Sequence, residues 1–181
     1  MNRKMLNVRL RRATVDDAEL HDRLRNQDSS LRFQASPKRS LDEVRSIMAA
    51  QQDIAVDRDA VGKLFWVIEV DAEDVGLIQL DISSGFRQQL YATMGYTVVE
   101  SVQGRGVATE AVGQAIEIAF GPLGLERIEA VAAVANGASR RVLEKSGFQF
   151  EGVRRGLLRI QGQRVDHACY GILVTDMWDG E

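Results

Sequence analysis

Gly104 and Gly106 lie between a β-rich stretch and a long helix-forming stretch, within the segment 103–108. Glycines remove side chains from a strand-to-helix turn, so its backbone N–H groups point outward and the helix adds the positive end of its dipole. Arg105 adds a positive charge, and Thr109 keeps the next turn small. This combination predicts a site for a pyrophosphate.

Three kinds of anion-binding motif compete for this segment. A dinucleotide fingerprint needs a third glycine where Thr109 stands, and a P-loop needs a Gly-Lys-Ser/Thr triplet that does not follow. A Gln/Arg-x-x-Gly-x-Gly/Ala pattern remains, matched by Gln103, Gly106 and Ala108. A glycine-rich turn that binds nothing stays an alternative for so short a motif.

Few residues in this sequence could support metal binding or thiol chemistry. Cys169 is the one cysteine, so it forms no internal disulfide, which fits a reducing cytoplasm. His167 and His21 are the two histidines, too few with one thiol for a structural zinc site, so we expect no metal. A buried thiol is the favoured interpretation of Cys169 over a nucleophile.

The composition is that of an ordinary globular protein. The chain has 181 residues, 45% hydrophobic and 27% charged, and we expect one domain over residues 1–181. A net charge of -3 and a pI of about 5.5 argue against nucleic acid as a partner. The sequence has no apolar run of about 18 residues and no secretory signal, so we expect no membrane partner and a cytoplasmic location.

The elements that would position the glycine segment form a βαβ unit. A strand over Tyr91–Val99 precedes it, a helix over 107–120 follows, and a strand over Arg127–Ala133 runs parallel to the first. Asn136 opens a short helix that ends at Lys145, with Gly147 behind it.

The remaining patterns predict an antiparallel front half and a closing hairpin. Thr14 and Ser40 are the predicted N-caps of two early helices, separated by an irregular stretch over Arg32–Pro37. The other expected strands span 8–13, 64–70, 75–82, 148–160 and 164–174, with a four-residue turn at 71–74. The sum is a mixed α/β domain.

From about residue 8 to Trp178 the sequence resembles the GNAT superfamily of acetyl-CoA-dependent N-acetyltransferases, and within it the RimJ/RimL-type group. The segments that carry this resemblance are 94–96, 103–111, 123–130, 136–148, 151–153 and 166–171. It implies a mostly antiparallel central sheet with a parallel βαβ crossover at a splayed strand pair, flanked by helices. It also implies direct attack of a primary amine on acetyl-CoA in a ternary complex.

The resemblance also implies where acetyl-CoA lies. Val98 and Val99 would pair with the pantetheine arm, and one of their N–H groups would serve as an oxyanion hole. The pyrophosphate would be held by Gln103, Gly104, Arg105, Gly106, Val107, Ala108 and Thr109. Asn136 would face the CoA arm, although an ordinary N-cap is the structural alternative.

Ser139 is the candidate that protonates or hydrogen-bonds the departing thiolate, against the alternative of a serine satisfied by helix backbone. Many relatives have a tyrosine seven residues after the asparagine as that acid, and here Leu143 stands there. The proton for the departing thiolate would therefore come from Ser139 or from water.

The base that deprotonates the amine is left open among several groups. The catalytic candidates are His167 and Asp166, with Glu69 and Asp81 on central strands; a water chain or purely structural roles are alternatives. We expect the acceptor groove between the first two helices and the last hairpin, bordered by residues 32–40. The acceptor would be a protein N-terminus, or else a polyamine, amino acid or aminoglycoside. A non-catalytic acyl-CoA-binding domain and a homodimer paired through sheet edges are further hypotheses.

Overall fold

A computed structural model describes residues 6–35 and 37–177. Ser36, within the stretch predicted to be irregular, and Trp178, where the resemblance ends, lie outside the described residues. No helix in the described part of the chain is long and apolar enough to cross a membrane.

One seven-stranded sheet organises the described residues, in the order β1-β2-β3-β4-β5-β7-β6. Only the β4–β5 pair is parallel, so the predicted mixed sheet with one parallel crossover is confirmed. The strands are β1 Val8–Arg12, β2 Gly62–Val70, β3 Glu73–Ile82, β4 Tyr91–Val98, β5 Arg127–Ala133, β6 Gln149–Ile160 and β7 Gln163–Leu173.

Helices cover both faces of this sheet. They are α1 Ala18–Asn26, α2 Asp28–Phe33, α3 Leu41–Ala50, α4 Ser84–Gln88, α5 Val107–Phe120 and α6 Gly137–Lys145. Ser40 caps α3 as predicted, because its Oγ accepts from the Glu43 N–H while the Glu43 carboxylate accepts from the Ser40 N–H.

Strand β2 shows why the core has two halves. Its residues from Leu64 to Ile68 are all buried, because helices lie on both sides of the strand. Trp66 belongs to the larger apolar cluster with α5, whereas Phe65 and Val67 belong to the cluster with α1 and α3.

The parallel pair separates after three residues. Strands β4 and β5 pair from Tyr91 with Arg127 to Thr93 with Glu129, and no pairing follows although both strands continue. Backbone groups of the β4 residues 94–98 are therefore not used by β5. This is the splayed pair that the resemblance implies.

Three local predictions were wrong. Residues 32 and 33 belong to helix α2, so the irregular stretch is shorter than predicted. Helix α4, which Ser83 caps by accepting from the Phe86 N–H at 3.4 Å, was not predicted, because its five residues include Gly85 and are too few to show a helical apolar period. The acidic turn is only Asp71 and Ala72, both with positive φ, as a two-residue hairpin requires.

Candidate active site

The start of α5 forms an open cradle of backbone groups. Gly104 and Gly106 have φ values of 71° and 91°, in the left-handed region that glycine adopts without strain. A Cβ at either position would meet nothing within 4 Å, so the space above the turn is free for a ligand. Gly106 provides no side-chain cap, and the first N–H groups of a helix have no intrahelical partner.

A cavity of about 330 Å³ extends from this cradle to α6, and we call it the CoA-side cavity. The predicted residues that line it are Val98, Gln103, Gly104, Gly106, Val107, Ala108, Thr109, Asn136 and Ser139. Arg105 is exposed and does not line it. Arg141 and Lys145 supply the positive charge instead, which suits the phosphates of CoA.

Val98 and Val99 differ in what their backbones can offer. The Val99 N–H donates to the Val75 carbonyl at 2.7 Å, so it is not available to a thioester. Because residues of an antiparallel strand alternate in the partner they face, Val98 directs its N–H and C=O away from β3, toward the splayed gap. Its carbonyl accepts from Gln27 Nε2 at 3.0 Å. The prediction thus fails for the Val99 N–H and stays open for Val98.

A second cavity, of about 220 Å³, lies beside α1 and the splayed strand pair, and we call it the acceptor-side cavity. It is lined from α1 by His21 and Arg25, from the 33–35 segment, and from the last hairpin by Leu158 and His167. Helix α1, the 33–35 segment and the last hairpin are among the regions expected to form the acceptor groove, but no residue of α3, the second predicted helix, lines this cavity.

The two cavities meet through the opening between β4 and β5. Six residues line both: Phe33, Gln34, Tyr96, Thr97, Asn136 and Ser139. A thioester held in the first cavity and an amine held in the second would therefore reach each other here, which is the geometry that direct transfer needs.

Tyr96 and Ser139 form a hydroxyl pair at this junction. Their oxygen atoms are 2.9 Å apart, and Tyr96 Oη also lies 3.0 Å from the Ser139 carbonyl oxygen, to which it can donate. Asn136 caps α6, since its Oδ1 accepts from the Ser139 N–H at 3.1 Å. The cap holds Ser139 at the first turn of α6, facing β4.

Burial raises the pKa of Tyr96 to about 12, while the hydrogen bond with Ser139 acts in the opposite direction. Tyr96 therefore keeps its proton at neutral pH and can donate it. Its hydroxyl is a proton donor at the junction, whereas Leu143 is apolar and buried in the core.

His167 lines the acceptor-side cavity and is 2% exposed. Its Nδ1 lies 2.9 Å from the Val165 carbonyl oxygen, which can only accept, so Nδ1 carries a hydrogen. In the neutral ring Nε2 then keeps its lone pair, as a proton acceptor requires.

The other predicted bases lie outside both cavities. Asp166 is exposed, and its carboxylate accepts from the Gly156 N–H at 2.7 Å. Glu69 lies 3.4 Å from Arg11, and Asp81 lies 3.3 Å from Lys63. For these three carboxylates the structural alternative of the sequence analysis fits better than a catalytic role.

A chain of hydrogen bonds crosses the acceptor-side cavity toward the junction. Arg25 Nη1 donates to Gln34 Oε1 at 3.1 Å, and Arg25 Nη2 donates to the Ala35 carbonyl at 2.9 Å. Gln34 Nε2 in turn donates to Thr97 Oγ1 at 2.9 Å. Helix α1 is thereby tied to strand β4 along the cavity wall.

Sequence reasoning missed Tyr96, Arg25, Gln34, Arg141 and Lys145 as site residues. The last two had a detectable signal, because positions 138, 141, 142 and 145 share one face of a helix. The other three come from separate elements and had no local signal.

No group of three or more metal-ligating side chains occurs in residues 6–35 and 37–177.

Comparison with known proteins bears on this geometry. The model of the acetyltransferase (GNAT) domain matches residues 7–149. The chain belongs to this family. It is 38% identical over 90 residues to the "Putative ribosomal N-acetyltransferase YdaF" of Bacillus subtilis (strain 168), covering 50% of this chain and 49% of that protein. The matched segment is about half the length of the first three curated relatives.

Two solved structures are similar over nearly the whole chain. RimJ of Mycobacterium smegmatis in complex with CoA-disulfide has a TM-score of 0.80 and 27% identity, covering 94% of this chain and 83% of that one. Spermidine N-acetyltransferase of Vibrio cholerae in complex with CoA and spermine has a TM-score of 0.81 at 22% identity, covering 95% and 98%. The second likeness concerns the fold alone. The predicted family and fold are confirmed.

Proposed function

We propose that this chain is an N-acetyltransferase that moves the acetyl group of acetyl-CoA to a primary amine in a ternary complex, most favourably the N-terminal amine of a protein. The observation that carries the proposal is the meeting of the two cavities at the Tyr96–Ser139 pair. Acetyl-CoA supplies the acetyl group as a thioester. The residues of the chain bind, orient and exchange protons.

On the CoA side, backbone N–H groups of the 104–109 turn bind phosphate oxygens, and Arg141 and Lys145 add positive charge. The Val98 backbone facing the gap aligns the pantetheine arm. Tyr96 donates its proton toward the leaving sulfur, and the Ser139 hydroxyl orients it, or donates when Tyr96 is absent.

On the acceptor side, His167 Nε2 takes the proton from the amine, because the Val165 carbonyl fixes the tautomer that leaves Nε2 bare. The low exposure of His167 keeps bulk water from competing for this position. His167 is therefore the base that we propose among the candidates that the sequence left open.

The charge of the acceptor-side cavity lining and the names of two similar proteins support a protein N-terminus as the acceptor. Among the described residues that line the acceptor-side cavity there is no carboxylate, so a polyamine would find no countercharge at its distal ammonium groups. A protein N-terminus carries a single reactive amine, which loses its proton before attack, so it has no distal ammonium group that needs a countercharge. The names of YdaF and RimJ fit this class of acceptor.

The test is to incubate pure protein with acetyl-CoA and a library of peptides with free N-termini, together with spermidine. Mass spectrometry should find acetylated peptides, and thiol titration should find free CoA in equal amount. Peptides with blocked N-termini are the matched control.

Tight acetyl-CoA binding in calorimetry with no acetylated product from any amine would contradict the proposal. It would favour the hypothesis of a non-catalytic acyl-CoA-binding domain. Turnover of spermidine alone would contradict only the assigned acceptor class.

A further inference from the structure

The acceptor-side cavity contains a positive charge without a countercharge. Its titratable lining residues are Arg25, His21, His167 and Tyr96, of which Tyr96 is neutral at pH 7. Burial, with help from the nearby Arg25 and Arg39, lowers the pKa of His21 to about 4, so His21 is neutral at pH 7. Arg25 is therefore the fixed charge of the lining at neutral pH.

Carboxylates on the same face of the sheet are already engaged elsewhere. Asp81 pairs with Lys63 at 3.3 Å, and Glu129 accepts from Arg127 at 2.8 Å and from Tyr91. Asp22, the acidic neighbour of His21, accepts from Asn26 on its own helix. Within residues 6–35 and 37–177, no carboxylate oxygen lies within 4 Å of a side-chain nitrogen of Arg25.

The guanidinium of Arg25 is held in place and still has donors to offer. Two of its five N–H groups are used by Gln34 Oε1 and the Ala35 carbonyl, both of residues that line the cavity. Desolvation, and then the charge of Arg39, lowers the pKa of Arg25, as expected for a cation without an opposite charge. An oriented, partly buried guanidinium is the group that recognises a carboxylate through two parallel hydrogen bonds.

Resting on the function proposed above, we propose that Arg25 selects acceptors that carry a carboxylate close to the reactive amine. Its hydrogen bonds to the 34–35 segment hold it in the wall of the cavity that the Tyr96–Ser139 pair also lines. Two sources have this chemistry: the side chain of an acidic N-terminal residue in a peptide, and the α-carboxylate of a free amino acid.

The experiment uses matched acceptor pairs that differ only in the carboxylate. One pair is Glu-Ala-Ala amide and Gln-Ala-Ala amide, and the other is free leucine and leucinamide, with spermidine as the polycation. Values of kcat/KM are measured for wild type, Arg25→Gln, Arg25→Lys and Arg23→Gln. Arg23 is the matched control, because it is an exposed arginine on the same helix outside both cavities.

We expect about a tenfold or greater preference for the carboxylate member of one pair, set by a charge-assisted hydrogen bond. The pair that shows it identifies the source. Arg25→Gln should reduce the preference to about onefold through KM rather than kcat, Arg25→Lys should keep part of it, and Arg23→Gln should keep all of it. Thermal melts check that the variants are folded.

Calorimetric titration of the same pairs, with CoA present, separates this inference from the proposed function, since it needs no turnover. If the carboxylate member of a pair binds more tightly in an Arg25-dependent way while no acceptor is turned over, that result would support the inference and contradict the proposed function. If the two acceptors of each pair had equal kcat/KM values and equal affinities, the inference would be overturned. A preference that survives Arg25→Gln would also overturn it.

Discussion

The CoA-side and acceptor-side cavities share six lining residues and are built in different ways. The first is shaped largely by backbone: two glycines with positive φ, the start of α5 and the Val98 edge of the splayed strand. The second is shaped by side chains from α1, the 33–35 segment and the last hairpin, held together by the Arg25–Gln34–Thr97 chain.

This difference suggests how one fold can keep a co-substrate while changing its acceptor. Backbone N–H groups recognise phosphate whatever the neighbouring side chains are, so the cradle needs only small residues and a helix start. The acceptor side depends on individual side chains, and a single substitution there can alter charge and shape without disturbing the sheet.

The largest effect is expected for His167→Asn, which removes the ring Nε2 from the acceptor side. We expect kcat/KM to fall about a thousandfold, within the range for loss of a general base, with unchanged affinity for acetyl-CoA. Steady-state kinetics and calorimetry measure the two quantities. Cys169→Ala is the matched control two residues along the strand; if it were equally inactive, the preference for a structural thiol would be wrong.

At the junction, Tyr96→Phe is expected to lower kcat about a hundredfold and leave both KM values near those of wild type. The hydroxyl acts on the leaving thiolate, while Ser139 stays available as a weaker donor. Tyr91→Phe is the matched control on the same strand, since that hydroxyl binds Glu129 away from both cavities. A full rate in Tyr96→Phe would assign the proton to Ser139 or water.

On the CoA side, Gly106→Val should weaken acetyl-CoA binding about tenfold. A β-branched residue is strained at φ 91°, and its side chain would enter the space kept open above the turn. Calorimetry gives the dissociation constant. Gly113→Ala, inside the same helix and also with open space around a Cβ, should bind as wild type does. Equal binding by both variants would place the phosphates elsewhere.

The smallest effect concerns His21 and acid stability. Its pKa of about 4 in the folded protein lies below the value of about 6.5 in the unfolded chain, so the unfolded state binds a proton first as pH falls. The contribution of buried, neutral His21 to the free energy of unfolding is therefore complete above about pH 6.5 and is lost as the pH falls toward 4. In thermal melts between pH 6.5 and pH 4, the Tm of wild type should fall further than the Tm of His21→Gln, by on the order of 3 °C. If Tm depended on pH equally in wild type and His21→Gln, His21 would have to be solvent-exposed in the folded protein.

Sequence patterns predicted most elements because each depends on residues close together in the chain. The glycine turn, the capping box of α3 and the apolar face of α5 are all local features. The prediction for Val99 depends instead on the tertiary structure. Val99 was matched to the CoA arm, but its N–H is used by Val75, and only the strand register shows which alternate residue faces the gap.

The sequence by itself determined the family, the βαβ crossover and the cradle for an anion, since these depend on residue types at fixed short spacings. Only the tertiary structure brought Tyr96 to Ser139 across 43 positions and set Arg25 in a cavity lined without carboxylates. The same structure places Asp166 outside both cavities and His167 in the lining of the acceptor-side cavity. Strand pairing and helix packing join residues that are far apart in the chain, and no local pattern records which of them will meet.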